Sequence, residues 1–189
     1  MKTLIIGIDE AGRGALAGPV VAAACCIPNN LKKFPVRIAD SKKMTPSERE
    51  ESFLWITEHC LFGIGIVSHN VIDTDGILAA NERAMQEAVK SLETKLQKKQ
   101  PLYLLIDGRD KFWFDHPHSS IVRGDDSEKC ISAASIIAKV TRDHLMIDMD
   151  KKYAGYGFAQ HKGYGTALHT ASIKKLGICK IHRKTFVHV

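Results

Sequence analysis

Short apolar runs alternate with longer amphipathic ones along this chain. Thr3–Ile8 is brief, apolar and rich in β-branched residues, the pattern of a strand covered on both faces. Val20–Ile27, closed by Pro28-Asn29-Asn30, predicts a second strand returning beside the first. Phe62–Ser68 alternates small and branched residues and predicts a third. Leu102–Ile106 predicts a fourth, and Ile121–Arg123 a short fifth. Between them lie three helical stretches. Thr45-Pro46-Ser47-Glu48 opens the first as a capping box with proline at the first helical position, and that helix is expected to run to about Cys60. From about Thr74, Ile77, Ala84, Ala88, Leu92 and Leu96 repeat at helical spacing until Lys98–Pro101 stops them. Asn81 interrupts that stripe, either turned to solvent or directed at a substrate. A third helix is expected from about Ser127 to Asp150, with Ser132, Ala133, Ala134, Ser135 and Ala138 small enough for close approach to a sheet. The long helical connection between the third and fourth strands allows the fourth to lie parallel to the first.

With 189 residues, 44% of them hydrophobic, the chain is expected to form one well-buried domain, 1–189. Its net charge is +6, and the distribution sharpens the picture: from Lys151 onward there are eight Lys/Arg and no Asp/Glu, while the first 150 residues are near balance. Tyr153, Tyr156, Phe158, Tyr164 and Phe186 lie among those cations, a composition expected of a nucleic-acid surface. Cys25, Cys26, Cys60, Cys130 and Cys179 show neither a CxxC pair nor a regular spacing, so buried thiols are expected rather than zinc or disulfides. No run approaches membrane-spanning length, and a strand starting near Thr3 leaves no room for a leader, which gives a reducing, cytoplasmic expectation.

The candidate chemistry sits at strand ends. Asp9 and Glu10 follow the first strand, Asp107 the fourth and Asp125 the fifth. In open α/β sheets ligands bind at the carboxyl ends of strands. Four acids gathered there would make an all-oxygen site for hard cations such as Mg²⁺ or Mn²⁺. Two such ions would clamp the attacking and leaving oxygens of a phosphodiester. For Asp126, beside Ser127, a capping role is expected. Gly12–Ala17 matches the dinucleotide-binding fingerprint, but that motif must open a helix, and here Gly18-Pro19 and a strand follow it. No P-loop, HExxH or GxSxG motif occurs, so nucleophilic serine or cysteine catalysis has no support. A non-enzymatic nucleic-acid-binding module, carried by the basic segment alone, is the rival class.

The motifs Asp-Glu-Ala-Gly-Arg-Gly (9–14), Asp-Ser-Lys-Lys (40–43), Leu-Leu-Ile-Asp-Gly (104–108), Gly-Asp (124–125), Ser-Ala-Ala-Ser-Ile-Ile-Ala-Lys-Val-Thr-Arg-Asp (132–143) and Tyr-Gly-Phe-Ala-Gln-His-Lys-Gly-Tyr-Gly-Thr (156–166) together resemble bacterial ribonuclease HII, in that family's order and across nearly the whole chain. The resemblance implies a ribonuclease H-like α/β fold: a central mixed five-stranded sheet flanked by helices, with a basic helical C-terminal segment. It implies cleavage of RNA in RNA/DNA hybrids, and of single ribonucleotides embedded in duplex DNA; a monomer is the default expectation. The family's metal-binding carboxylates fall on Asp9, Glu10, Asp107 and Asp125. Its element that reads the 2′-hydroxyl falls on Gly12, Arg13 and Gly14, and its tyrosine beside the next sugar on Tyr164. The sibling ribonuclease HIII carries lysine for the arginine and typically glutamate as fourth acid, which this chain does not. Lys42, Lys43 and the basic segment are expected to hold phosphates without reading sequence.

Overall fold

The computed structural model describes residues 2–31 and 33–188. Five strands form one mixed sheet: β1 (Leu4–Ala11), β2 (Val20–Cys26), β3 (Leu61–Val67), β4 (Leu102–Asp107) and β5 (His118–Ile121), in the order β3-β2-β1-β4-β5. β1–β2 and β2–β3 are antiparallel, whereas β1–β4 and β4–β5 are parallel. The expected mixed sheet is therefore present, with β1 at its centre and β4 beside it in the same direction.

Helices cover both faces. α3 (Ile77–Glu93) packs on β2 and β3, so closely that a Cβ at Gly63 or Gly65 would fall 2.1 Å from the Ala88 carbonyl oxygen or 2.0 Å from that of Ala84. α5 (Lys129–Lys152) packs on β1 and β2 from the other face, with α1 (Pro46–His59) beside it. The small residues of α5 allow the expected approach: a Cβ at Gly7 would stand 2.1 Å from the Cys130 carbonyl carbon. Ile6 and Ile8 belong to the core on the α3 side, and Ala11 to the core on the α5 side. Because successive strand residues face opposite ways, Glu10 follows Ile6 and Ile8 while Asp9 follows Gly7.

Three elements differ in extent from the sequence expectation. The helix anticipated from Thr74 is two: α2 (His69–Asp75) and α3, parted by Gly76 at φ 83°, and α3 ends before Leu96. The helix anticipated from Ser127 begins as α4 (Gly124–Ser127) and, after a break at Glu128, becomes α5. The fifth strand lies at 118–121 rather than 121–123, because Arg123 is left-handed (φ 59°) and turns the chain into α4.

The fourth correction concerns the basic C-terminal segment, which holds α6 (Phe158–His161) and α7 (Ala167–Leu176). Tyr156 and Phe158 do not face solvent: they form a small core with Ala17, Met146 and Ile181, and Phe186 packs against the main core. An isolated bridge pairs Ala17 with His182, fastening this segment to the loop behind β1. Cys25, Cys26 and Cys60 are buried as expected, while Cys130 and Cys179 are partly exposed.

Candidate active site

Parallel pairing of β1 with β4 runs through Ile8 and Ile106, so the next residues, Asp9 and Asp107, emerge side by side at the carboxyl ends of the two central strands. Asp125 arrives from α4. Gly124 N–H donates to Asp107 Oδ1 at 2.8 Å and Asp125 N–H reaches the same oxygen at 3.4 Å, so Asp107 itself anchors the turn that delivers the third acid. Each of Asp9, Asp107 and Asp125 offers a carboxylate oxygen within 4.8 Å of the other two.

Glu10 lies outside that group. Its carboxylate is on the α3 side of the sheet, 3.8 Å from the Arg13 guanidinium and facing Asn81. Asn81 is fully buried, neither turned to solvent nor capping, and its amide has no well-formed hydrogen bond among the described residues. Asp126 is not part of that trio: it pairs with Lys43 at 2.5 Å and lies within 4.8 Å of Asp125 and Asp40 in a second group of acids. Lys42 reaches Asp125 at 3.4 Å.

The electrostatics are those of a site built for cations. Burial, reinforced by Glu10 and Asp107, holds the Asp9 carboxyl well above the usual aspartate range. Burial also raises Glu10, against the pull of Arg13, and raises Asp125, against Lys42. Burial lowers the Lys42 ammonium, but Asp125, Asp9 and Asp40 together carry it above its ordinary value. Three clustered carboxylates, two buried (Asp9 and Asp125) and one half-buried (Asp107), fit a hard divalent cation: the donors are all oxygen, and among the described residues only Lys42 pairs with one of them.

A groove of about 450 Å³ runs beside this cluster, lined by Asp9, Glu10 and Asp107 together with the Gly12-Arg13-Gly14 turn, Lys42, Lys139 and Tyr164. Ala15 N–H donates to the Gly12 carbonyl, closing a turn with Arg13 and Gly14 at its tip. The Tyr164 hydroxyl accepts from Gly12 N–H at 3.2 Å. No helix follows the turn, so the dinucleotide fingerprint lacks its context.

Comparison with known proteins agrees with this geometry. The family model described as Ribonuclease HII matches residues 6–189. This chain belongs to the ribonuclease HII family. Ribonuclease HII of Geobacter metallireducens is 49% identical over 183 residues, covering 96% of this chain and 83% of that protein. Among solved structures, the ribonuclease HII of Archaeoglobus fulgidus, determined with PCNA, superimposes with a TM-score of 0.77 at 23% identity, over 98% of this chain and 96% of that one. Bst-RNase HIII, determined with Mn²⁺, gives 0.74 at 15% identity, over 98% of this chain and 67% of that one. Family membership makes the chain an endonuclease of the ribonuclease H type, a divalent-metal-dependent class that acts on RNA/DNA substrates.

Several residues of the site carry roles that their place in the sequence does not show. Ser135 of α5 hydrogen-bonds Ser41 at 2.9 Å and touches Asp9. Asp110 pairs with Arg13 at 2.5 Å. Arg142 and Arg183 are fully buried, and among the described residues neither forms a salt bridge; both donate to backbone carbonyls instead. Charged residues ordinarily read as surface, so their burial was not legible.

Proposed function

We propose that this ribonuclease HII cleaves the RNA strand of RNA/DNA hybrids and also cuts 5′ to single ribonucleotides embedded in duplex DNA, leaving 5′-phosphate and 3′-hydroxyl ends. The observation that carries the reading is the adjacency, in one groove, of Asp9, Glu10 and Asp107 with the Gly12–Gly14 turn and Tyr164, Asp125 standing within 4.8 Å of Asp9 and Asp107.

Asp9, Asp107 and Asp125, with Glu10 from the opposite face, would hold two divalent cations, Mg²⁺ or Mn²⁺. Bound there, these would lower the pKa of an attacking water and neutralise charge on the phosphate and leaving oxygen. The chain's own groups do the rest. The turn offers backbone N–H groups where a 2′-hydroxyl, the mark of RNA, would lie, and Gly14 is exposed with no atom within 4 Å of a would-be Cβ, so a sugar meets no side chain there. Tyr164 would lie under the following sugar, its ring backed by the Arg142 guanidinium at 5.2 Å. Lys42, Lys43 and the basic segment 151–189 complete the groove of one monomeric catalytic domain and neutralise phosphates.

The deciding assay adds Mg²⁺ to an end-labelled DNA duplex containing one ribonucleotide. A single cut 5′ to the ribonucleotide with the stated ends is expected. An intact duplex beside a cleaved continuous hybrid would limit the activity to hybrids.

A further inference from the structure

Of the two fully buried arginines, Arg183 is the one whose guanidinium grips the Gly12–Gly14 turn. It is fully buried, and among the described residues no carboxylate pairs with it. All three of its donor positions are spent on main chain: Nε on the Gly18 carbonyl at 3.0 Å, Nη1 on that of Arg13 at 2.9 Å, and Nη2 on that of Gly12 at 2.7 Å. An unpaired buried guanidinium is costly, so its place needs a reason beyond stability.

The peptide plane supplies one. The Gly12 carbonyl shares its peptide with Arg13 N–H, and the Arg13 carbonyl shares its peptide with Gly14 N–H. In a planar trans peptide C=O and N–H point in opposite directions. Two carbonyls drawn inward onto one rigid fork therefore leave two N–H groups pointing outward, side by side, and neither has an acceptor among the described residues. A charged donor on the carbonyl also polarises the same peptide and strengthens its N–H as a donor.

We infer that Arg183 is a specificity-determining positioning residue: by gripping the Gly12 and Arg13 carbonyls from within, it aims and strengthens the N–H pair that receives the ribonucleotide 2′-hydroxyl. It never touches substrate. The inference rests on the proposed reading of the Gly12–Gly14 turn.

The test measures binding, in an Asp107→Asn background that blocks cleavage, to two duplexes differing only in one ribonucleotide. The readout is the ratio of their dissociation constants. Arg183→Met and Arg183→Lys, the latter keeping charge but not the fork, should lower the preference for the ribonucleotide by about five- to tenfold, with all-DNA affinity little changed. Should Arg183→Met not fold, Arg183→Lys carries the test. An unchanged ratio, or equal losses on both duplexes as for a merely structural residue, overturns the inference. Gly14→Ala separates the two layers. If it leaves the ratio intact, the reading of the turn fails; if it lowers the ratio while the Arg183 variants do not, only the clamp fails.

Discussion

Gly12 and Tyr164, 152 positions apart in sequence, are joined by a hydrogen bond from the Gly12 N–H to the tyrosine hydroxyl at 3.2 Å. The turn beside the acids and the basic C-terminal segment therefore form one wall of the groove, and the placement of the ring depends on both.

Tyr164→Ala removes that joint together with the platform for the sugar. Where only one ribonucleotide is present, the junction with DNA is the sole place for recognition, so its loss should exceed that on a continuous RNA strand. The expected difference in kcat/KM between the two substrates is about tenfold. Equal losses would remove Tyr164 from the junction.

Asp107 anchors α4 through Gly124 N–H and contributes an oxygen to the cluster. Asn at this position keeps an acceptor for Gly124 but loses the charge. Mg²⁺-dependent cleavage should fall by at least on the order of 10²–10³, with hybrid binding retained and with a smaller rise in Tm on adding Mg²⁺. Undiminished turnover would dismiss the metal assignment.

Asp9 carries a stability cost in the metal-free protein. A carboxyl whose folded pKa is raised binds protons more strongly folded than unfolded, so stability falls as pH rises from about 3.8 through the raised value. Asp9→Asn removes that loss. Without metal at pH 8 the variant should melt above its parent, by about 2–4 °C for each kcal/mol recovered, and the two should converge toward pH 4. A variant that melts lower at pH 8 would contradict the burial argument.

His169 works with the opposite sign. Cys179 N–H donates to His182 Nδ1 at 2.9 Å, so His182 carries its proton on Nε2 and donates it to His169 Nε2 at 3.1 Å, and His169 Nδ1–H donates to the Tyr164 carbonyl at 3.0 Å. Burial pushes the His169 pKa down to about 4. A depressed histidine contributes stability that is present above its ordinary value of 6.5 and lost as pH falls toward 4. His169→Gln removes that contribution, so the melting temperature of the variant minus that of the parent should rise as pH falls from 6.5 toward 4; the difference is the readout because Asp9 contributes a slope of opposite sign to both proteins within that window.

What could be read from the sequence followed physical locality. The capping box at Thr45 and Glu48 has both of its hydrogen bonds, at 2.7 and 3.2 Å. The parallel pairing of β1 with β4 followed from a crossover helix between apolar runs, and Asp9 and Asp107 fell at their ends. β5 was displaced because His118–Ile121 is a polar edge strand, half-exposed, with no apolar run to announce it. Asn81, Arg142 and Arg183 were hidden because their burial depends on neighbours far along the chain, and the buried Tyr156 and Phe158 imitated a stacking surface by composition alone. Strand alternation sets Asp9 and Glu10 on opposite faces of β1, yet both line the one groove and Glu10 helps to raise Asp9.

The grip of Arg183 on Arg13 spans 170 positions. At 5–20 residues per second, a ribosome making this chain would extrude the turn roughly 10–30 s before the side chain that fixes it. The element proposed to receive the 2′-hydroxyl is thus completed last: while the chain is being translated, the Gly12–Gly14 turn is present without the guanidinium that grips it.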